Sequence, residues 1–182
     1  MTDADDEFGL RPLRPDDSFS SMKPGGERFN PLKIFARKNA RRYEEENLAR
    51  TYVIHDRPNN RIAAYVTLVC SEVVSGENLP LVNGENLHFP YDTYPAVKIA
   101  RLLVDDRYRG ENSRGLGRIL VNFAQGIARA EICPAVGCRF VVVDSKQESI
   151  GFYERCGFTM VDTHENRSRT EPVMYLDLHK AS

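Results

Sequence analysis

Three arginines and three glycines packed between Arg109 and Arg118, and one tyrosine at Tyr153, are the residues of this 182-residue chain best suited to chemistry. The run reads Arg109-Gly110-Glu111-Asn112-Ser113-Arg114-Gly115-Leu116-Gly117-Arg118. Gly110, Gly115 and Gly117 allow close backbone approach to a ligand and accept φ > 0. Arg109, Arg114 and Arg118 supply guanidinium forks that match phosphate oxygens. An amphipathic run begins at Leu116, so the turn opens onto a helix N-terminus, where unbonded N–H groups and the helix dipole favour an anion. The turn lacks the Gly-Lys-Ser/Thr of a P-loop and the Gly-x-Gly-x-x-Gly of dinucleotide folds, which argues against nucleoside triphosphate hydrolysis. Taken alone it reads equally well as an exposed arginine loop. Tyr153 falls on a short helical run, where a phenol can donate a proton, although a tyrosine beside Ile150 also reads as a core aromatic. Together the two features suggest a nucleotide-like cofactor and a reaction that leaves an anion needing a proton.

The elements that must position these residues follow from periodicity. Leu32, Phe35, Ala36, Ala40 and Tyr43 share one helical face from Asn30 onward, with Arg37, Lys38, Arg41 and Arg42 on the other. Asn30-Pro31 reads as an N-cap followed by an N1 proline. Thr51–His55 and Ile62–Cys70 are β-rich runs joined by a turn-forming cluster, and so predict a hairpin. Ser71–Pro95 reads as a long loop, and loops of that length are usually functional or flexible. Ala96–Asp105 predicts a strand, and Leu116–Arg129 a helix with Leu116, Ile119, Leu120, Phe123 and Ile127 on its apolar face. The apolar run Phe140–Asp144 predicts a strand covered on both faces. Glu148–Cys156 predicts a short helix, and Thr159–Asp162 and Val173–Leu178 closing strands around a polar loop, Thr163–Pro172. The order predicts an α/β (α+β) domain with a mixed sheet flanked by helices.

Composition bounds the reading. The chain is long enough to bury one core, and residues 28–182 are expected to form a single domain. Residues 1–27, rich in Pro, Gly, Ser and acids, are expected to be extended or flexible, with one short strand near Phe8–Leu13. A net charge of -1 gives no global field for nucleic acid, though it leaves room for a local basic patch. No apolar run has bilayer-spanning length, and the acidic start is the opposite of a signal peptide, so a cytoplasmic location is expected. Cys70, Cys133, Cys138 and Cys156 form no Cys-x-x-Cys and have no histidine at metal-ligand spacing. They read as reduced, mostly buried thiols, with no metal implied.

Leu102-Leu103-Val104-Asp105, Tyr108-Arg109-Gly110 and Arg114-Gly115-Leu116-Gly117-Arg118 resemble the acetyl-CoA-binding motif of the GNAT N-acetyltransferase superfamily. Phe152-Tyr153-Glu154-Arg155-Cys156-Gly157-Phe158 resembles its second signature, Tyr followed after three residues by Gly-Phe. The pair stands in the right order and the resemblance covers roughly residues 50–178. It implies a mostly antiparallel central sheet with a splayed strand pair holding acetyl-CoA, no metal, and direct transfer of an acetyl group to a primary amine. It also implies that Leu102, Leu103 and Val104 pair with the pantetheine and offer an N–H to the oxyanion, that the Arg/Gly turn holds the pyrophosphate, and that Tyr153 protonates the leaving thiolate. Two departures stand out. Counting back from Gly115 and Gly117 puts Asn112 at the family's Gln/Arg position; alternatively Arg109-Gly110 keep their role and Glu111-Asn112-Ser113 is an insertion. Lys146 stands where many members carry a cofactor-contacting Asn. No general base is assigned; Asp105 and Asp106 also read as caps of the following turn.

A finer resemblance concerns the acceptor. Residues 31–51 followed by Tyr52-Val53, and Pro90-Tyr91 through Tyr94-Pro95-Ala96-Val97 leading to Ala100-Arg101-Leu102, resemble the acetyltransferase toxins of toxin–antitoxin systems. That implies aminoacyl-tRNA as substrate, an antitoxin partner and a homodimer. Arg37, Lys38, Arg41 and Arg42 are then candidate contacts to tRNA phosphates, unless i,i+4 pairs Arg41–Glu45 and Arg42–Glu46 neutralise them. Acetyl transfer to a small-molecule or protein amine is the broader reading. A non-catalytic CoA-binding or partner-binding module is the alternative of another class.

Overall fold

The computed structural model describes residues 7–74 and 93–179. Seven strands, β1 (Phe8–Pro12), β2 (Arg50–Asp56), β3 (Arg61–Val74), β4 (Thr93–Val104), β5 (Phe140–Asp144), β6 (Thr159–Met160) and β7 (Val173–Asp177), form one sheet in the order β1-β2-β3-β4-β5-β7-β6. The pairs β1–β2, β2–β3, β5–β7 and β6–β7 are antiparallel, and β4–β5 is parallel. Helices α1 (Asn30–Lys38), α2 (Ala40–Glu45), α3 (Leu116–Ile127), α4 (Cys133–Val136), α5 (Ile150–Arg155) and α6 (His164–Arg167) complete the fold. This is the mixed, mostly antiparallel α/β architecture expected. None of the helices among the described residues is long and apolar enough to cross a membrane. The chain divides into two units, one of Met1–Val69 with Ala100–Leu120, the other of Cys70–Ile99 with Val121–Ser182.

In the first unit the hairpin forms as expected, with a register shift between Ile54 and His55. Its turn is closed by Asp56, whose carboxylate accepts from the Asn59 N–H at 3.1 Å and the Asn59 amide at 2.8 Å. The predicted face of α1 and α2 is the one that packs: Phe35, Ala36 and Ala40 are buried, with Leu32 and Tyr43 against them. The helical run is interrupted at Asn39, so it is two helices rather than one, and Phe29 rather than Asn30 occupies the cap position. Tyr65 is fully buried beneath them and donates its hydroxyl to the Leu32 carbonyl at 2.7 Å.

β1 is the short strand expected near Phe8–Leu13, and it pairs with β2; beyond it, Leu13, Phe19 and Met22 enter the same core as Phe35 and Tyr65. Phe19 meets Tyr65 edge-on at 5.5 Å. Burial of side chains of this size is worth about 1.5–3 kcal/mol each, enough to hold a segment otherwise rich in Pro, Gly, Ser and charged residues.

In the second unit, Phe140 stands between Tyr94 and Tyr175, edge-on to both at 6.0 and 5.7 Å. Asn166 on α6, inside the expected polar loop, is buried and ties that loop down. Its amide donates to the Val161 and Val173 carbonyls at 2.9 and 3.0 Å, and its oxygen accepts from the Val173 N–H at 2.8 Å. Two strands extend into the predicted loop Ser71–Pro95: β3 reaches Val74 and β4 starts at Thr93. Residues 75–92, the rest of that loop, lie outside the described residues. The thiols are less buried than expected, Cys70 being exposed and the other three half-buried. The Cys133 thiol donates to the Cys138 carbonyl at 2.9 Å, and burial pushes the Cys138 thiol up to about 11.

Three buried carboxylates set an acid limit to stability. Burial alone would raise the pKa of Asp17, Asp56 and Asp105. Hydrogen bonds from Arg11, Tyr108 and Arg107 respectively, with backbone N–H groups, outweigh it and hold all three below the ordinary value of 3.8. Each is therefore more acidic folded than unfolded. Its contribution is fully present above the unfolded pKa and is lost as pH falls through the folded one. Urea midpoints should stay level from pH 7 to about 5 and fall steeply below about 4; a midpoint unchanged at pH 3 would show that these groups do not stabilise the fold.

Candidate active site

The first unit carries the end of β4 and the Arg/Gly turn. On β4, Leu103 is buried while Leu102 and Val104 are half-buried. The strand stops at Asp105, which is completely buried and acts as an anchor. Its carboxylate accepts from the Lys23 N–H at 2.9 Å, the Arg107 N–H at 3.0 Å, Arg107 Nε at 2.9 Å and Arg107 Nη2 at 2.6 Å. Arg107 Nη2 also reaches the Ser21 carbonyl at 2.9 Å, and the Asp106 N–H donates to the Lys23 carbonyl at 2.9 Å. Of the two acids, Asp105 thus caps the turn, as one sequence reading had it, and it does so across eighty-two residues of chain.

The residues between Arg109 and Arg114 have a definite place. Gly110–Asn112 form a single 3-10 turn, with the Asn112 N–H on the Arg109 carbonyl and the Ser113 N–H on the Gly110 carbonyl at 3.2 and 3.0 Å. The turn then re-enters at Gly115, whose φ of +66 is left-handed and whose missing Cβ faces open space. Helix α3 starts one residue later. Its first internal bond runs from Ile119 N–H to the Gly115 carbonyl at 3.1 Å, so the N–H groups of the first turn have no acceptor within the helix.

The two arginines left open by the sequence are placed differently. Arg109 is half-buried, with its guanidinium 5.2 Å from the Phe29 ring and packed beside Gly25 and Asp106. Burial pushes its pKa down, with Asp106 and Asp105 opposing. Arg114 and Arg118 are exposed, one just before α3 and one in its first turn. The apolar face of α3 is partly the predicted one: Leu116 and Leu120 are buried as expected, Ile119 is 44% exposed, and Val121 and Ala124 are buried, as is Ala128 just beyond the helix. The helix ends at Ile127, short of the predicted Arg129, and passes through a π-helical turn into α4. Two alanines on the buried side carry little hydrophobic signal, and the sequence reading gave them too little weight.

The second unit carries Lys146 and Tyr153. Lys146 Nζ pairs with Glu171 at 2.9 Å near the surface, and its carbonyl accepts the Ser149 N–H at 2.8 Å, opening the turn that leads into α5. Tyr153 is buried on α5, edge-on to Phe152 at 5.0 Å and Phe158 at 5.4 Å. The spacing of Tyr153 to Gly157-Phe158 has a local cause. The Phe158 N–H bonds the Tyr153 carbonyl at 3.0 Å and the Gly157 N–H bonds the Glu154 carbonyl at 2.9 Å, with Gly157 at φ +91. This is the two-bond helix stop that requires a left-handed residue, normally glycine. The stop returns the Phe158 ring onto the tyrosine and fixes its rotamer. Burial raises the Tyr153 pKa above its ordinary value, with Cys156 adding to the rise. Burial thus favours the neutral phenol, and among the described residues the hydroxyl has no hydrogen-bond partner. The β4–β5 ladder covers Ala96–Lys98 with Phe140–Val142; among the described residues no pair joins 99–104 to β5.

Residues missed in the sequence include Arg101, whose guanidinium lies 3.7 Å from the Phe35 ring, and Lys98, paired with Asp144 at 2.6 Å. The second pair lines a cavity of about 570 Å3 with Glu72, Glu165 and Arg169. Strand alternation alone is the signal that flags Lys98, a charged residue within the apolar run of β4.

AtaT complexed with acetyl-methionyl-tRNAfMet is similar in structure, at TM-score 0.79 and 19% identity, covering 95% of this chain and 96% of that one. A tyrosine-to-phenylalanine mutant of KacT matches at TM-score 0.79 and 17% identity over 96% of each chain. AtaTR bound with AcCoA matches at TM-score 0.74 and 22% identity, again over 96% of each chain. At these identities the likeness speaks for the fold. No curated protein matches the chain by sequence. The sequence does match the acetyltransferase (GNAT) family over residues 19–158, which take in the β4 end, the Arg/Gly turn, Tyr153 and Gly157-Phe158, and the chain belongs to that family.

Proposed function

We propose that this acetyltransferase moves the acetyl group of acetyl-CoA onto the α-amino group of an aminoacyl-tRNA, and that it is the toxin of a toxin–antitoxin pair. The observation that carries the reading is likeness of fold along nearly the whole chain to AtaT, whose complex contains acetyl-methionyl-tRNAfMet, and to an AtaT toxin bound to the C-terminus of the antitoxin AtaR and acetyl-CoA. The basic stripe agrees with it. Arg37, Lys38, Arg41 and Arg42 are exposed, and the i,i+4 neutralisation weighed in the sequence does not occur among the described residues: Arg41 donates to the Asp17 carbonyl instead of pairing with Glu45.

The residues present fit acetyl-CoA, since the open Gly115 turn, the start of α3 and two exposed arginines form a cradle for a pyrophosphate. Acetyl-CoA supplies an activated thioester carbonyl and a thiolate leaving group. The main-chain N–H near Leu103 or Val104 steadies the oxyanion that develops on that carbonyl. Tyr153 gives its proton to the sulfur. Arg114 and Arg118 hold the pyrophosphate, and Arg109 supports the turn from behind. Accordingly Arg114→Ala should raise KM for acetyl-CoA about ten- to a hundredfold, the worth of one charge-assisted bond, whereas Arg109→Ala should lower the urea midpoint first. The reverse pattern would return the pyrophosphate to Arg109. The function itself is tested by CoA release with charged tRNA against a panel of small amines and peptides. Turnover restricted to the panel would overturn the tRNA reading and favour a small cationic amine, for which the carboxylates of Glu72, Asp144 and Glu165 around the second-unit cavity are suited.

A further inference from the structure

A polar cavity of about 760 Å3 lies where β1, the β2–β3 turn and the segment through Ser21 come together. Its wall holds four arginines, Arg11, Arg14, Arg57 and Arg61, against two acids, Asp16 and Asp17, with His55 beside them. The acid that is buried is already spent. Asp17 takes two bonds from Arg11 at 2.7 Å each and one from the Arg14 N–H at 2.8 Å. Arg61 has no full partner: it lies 3.7 Å from Asp56, whose carboxylate is already engaged by the Tyr108 hydroxyl and by Asn59. Arg61 Nε is buried and makes no hydrogen bond. A buried unpaired donor of this kind is costly unless something accepts from it. The Arg14 guanidinium is exposed and, among the described residues, has no side-chain partner. The rim continues into α2, because Arg41 donates to the Asp17 main chain.

We propose that this cavity binds a phosphate group, seated on the guanidinium groups of Arg14 and Arg61 with the hydroxyls of Ser20 and Ser21 as neutral donors. A phosphate offers several acceptors at once to planar guanidinium forks, which is what an under-satisfied Arg61 and an unengaged Arg14 lack. The phosphate belongs either to an RNA backbone or to a small phosphorylated molecule; the first source rests on the aminoacyl-tRNA reading above and the second does not.

The test uses the full chain and Arg14→Glu, an exposed position whose structural bond is made by its main chain. tRNA binding is measured by fluorescence anisotropy across a salt series, and the His55 ring resonances are followed as inorganic phosphate is added. For an RNA source, Arg14→Glu weakens tRNA at least tenfold at low salt and lowers the slope of log affinity against log salt by about one. Acetyl-CoA affinity stays unchanged. For a small-molecule source, tRNA affinity is unchanged, while inorganic phosphate moves the His55 resonances in the wild type and not in the variant. If neither quantity depends on Arg14, the proposal is wrong. Acetyl transfer to charged tRNA, assayed in parallel, separates the two ideas. Transfer without an Arg14 effect leaves the function standing alone, and an Arg14 effect without transfer leaves the phosphate site standing alone.

Discussion

Tyr153→Phe should lower kcat by about a hundred- to ten-thousandfold while leaving the affinity for acetyl-CoA and the fold intact, the loss typical of removing a positioned proton donor. The fold should tolerate the change because the hydroxyl has no hydrogen-bond partner among the described residues, so its removal strands no group. The ring contacts with Phe152 and Phe158 survive in phenylalanine. Measurement of kcat and of cofactor affinity by calorimetry separates chemistry from binding. The pH profile gives a second readout. Burial holds the phenol above its ordinary value of 10.0, so the proton stays in place throughout the neutral and mildly basic range. No fall in kcat below about pH 10 should be traceable to this group. An alkaline limb near pH 8 that vanished in Tyr153→Phe would contradict the raised pKa, and full activity in the variant would remove Tyr153 from the mechanism.

The largest effect on stability is expected at Asp105. Asp105→Ala would leave the Arg107 guanidinium and two main-chain N–H groups, those of Lys23 and Arg107, without their acceptor. Breaking a buried pair from one side costs about 3–5 kcal/mol, a large part of the stability of a domain this size. Urea unfolding should show it, with Asp106→Ala, exposed one residue away, within about 0.5 kcal/mol of wild type. The same variant should raise KM for acetyl-CoA, because Asp105 fixes the first residues of the turn. A normal midpoint with a lost kcat would instead make Asp105 part of the chemistry, the role for which the sequence offered no support over capping.

Where periodicity was strong, the chain could be read directly. The hairpin, β5 and the helix carrying Tyr153 declare themselves because each residue contributes to one consistent pattern. The Tyr153-to-Gly157-Phe158 spacing is legible for the same reason: it encodes a helix stop, which is local. Residues 13–27 were opaque because their burial depends on three apolar side chains, Leu13, Phe19 and Met22, set among Pro, Ser and Asp. No period links them, and only tertiary contact with Phe35 and Tyr65 reveals their use. Arg41 was left open between two readings for a similar reason. Its partner on the same helix was visible in the sequence, while the partner it takes, the Asp17 carbonyl, lies twenty-four residues away. The choice between Arg109 and Arg114 was undecidable from spacing, since Glu111-Asn112-Ser113 can be counted either way. In the function proposed above it turns on Phe29 and Gly25, against which Arg109 packs.

The bond from Lys23 to Asp105 also bears on the order of assembly during synthesis. Lys23 leaves the ribosome eighty-two residues ahead of the carboxylate that receives it, several seconds at common elongation rates of about 5–20 residues per second. Through that interval Phe19 and Met22 lack part of their eventual cover, since Leu103 of the same cluster is also still to come. Long-range closures of this kind slow folding. The turn that follows β4 cannot gain this anchor until Asp105 has been made, so in a nascent chain Lys23 waits for its acceptor.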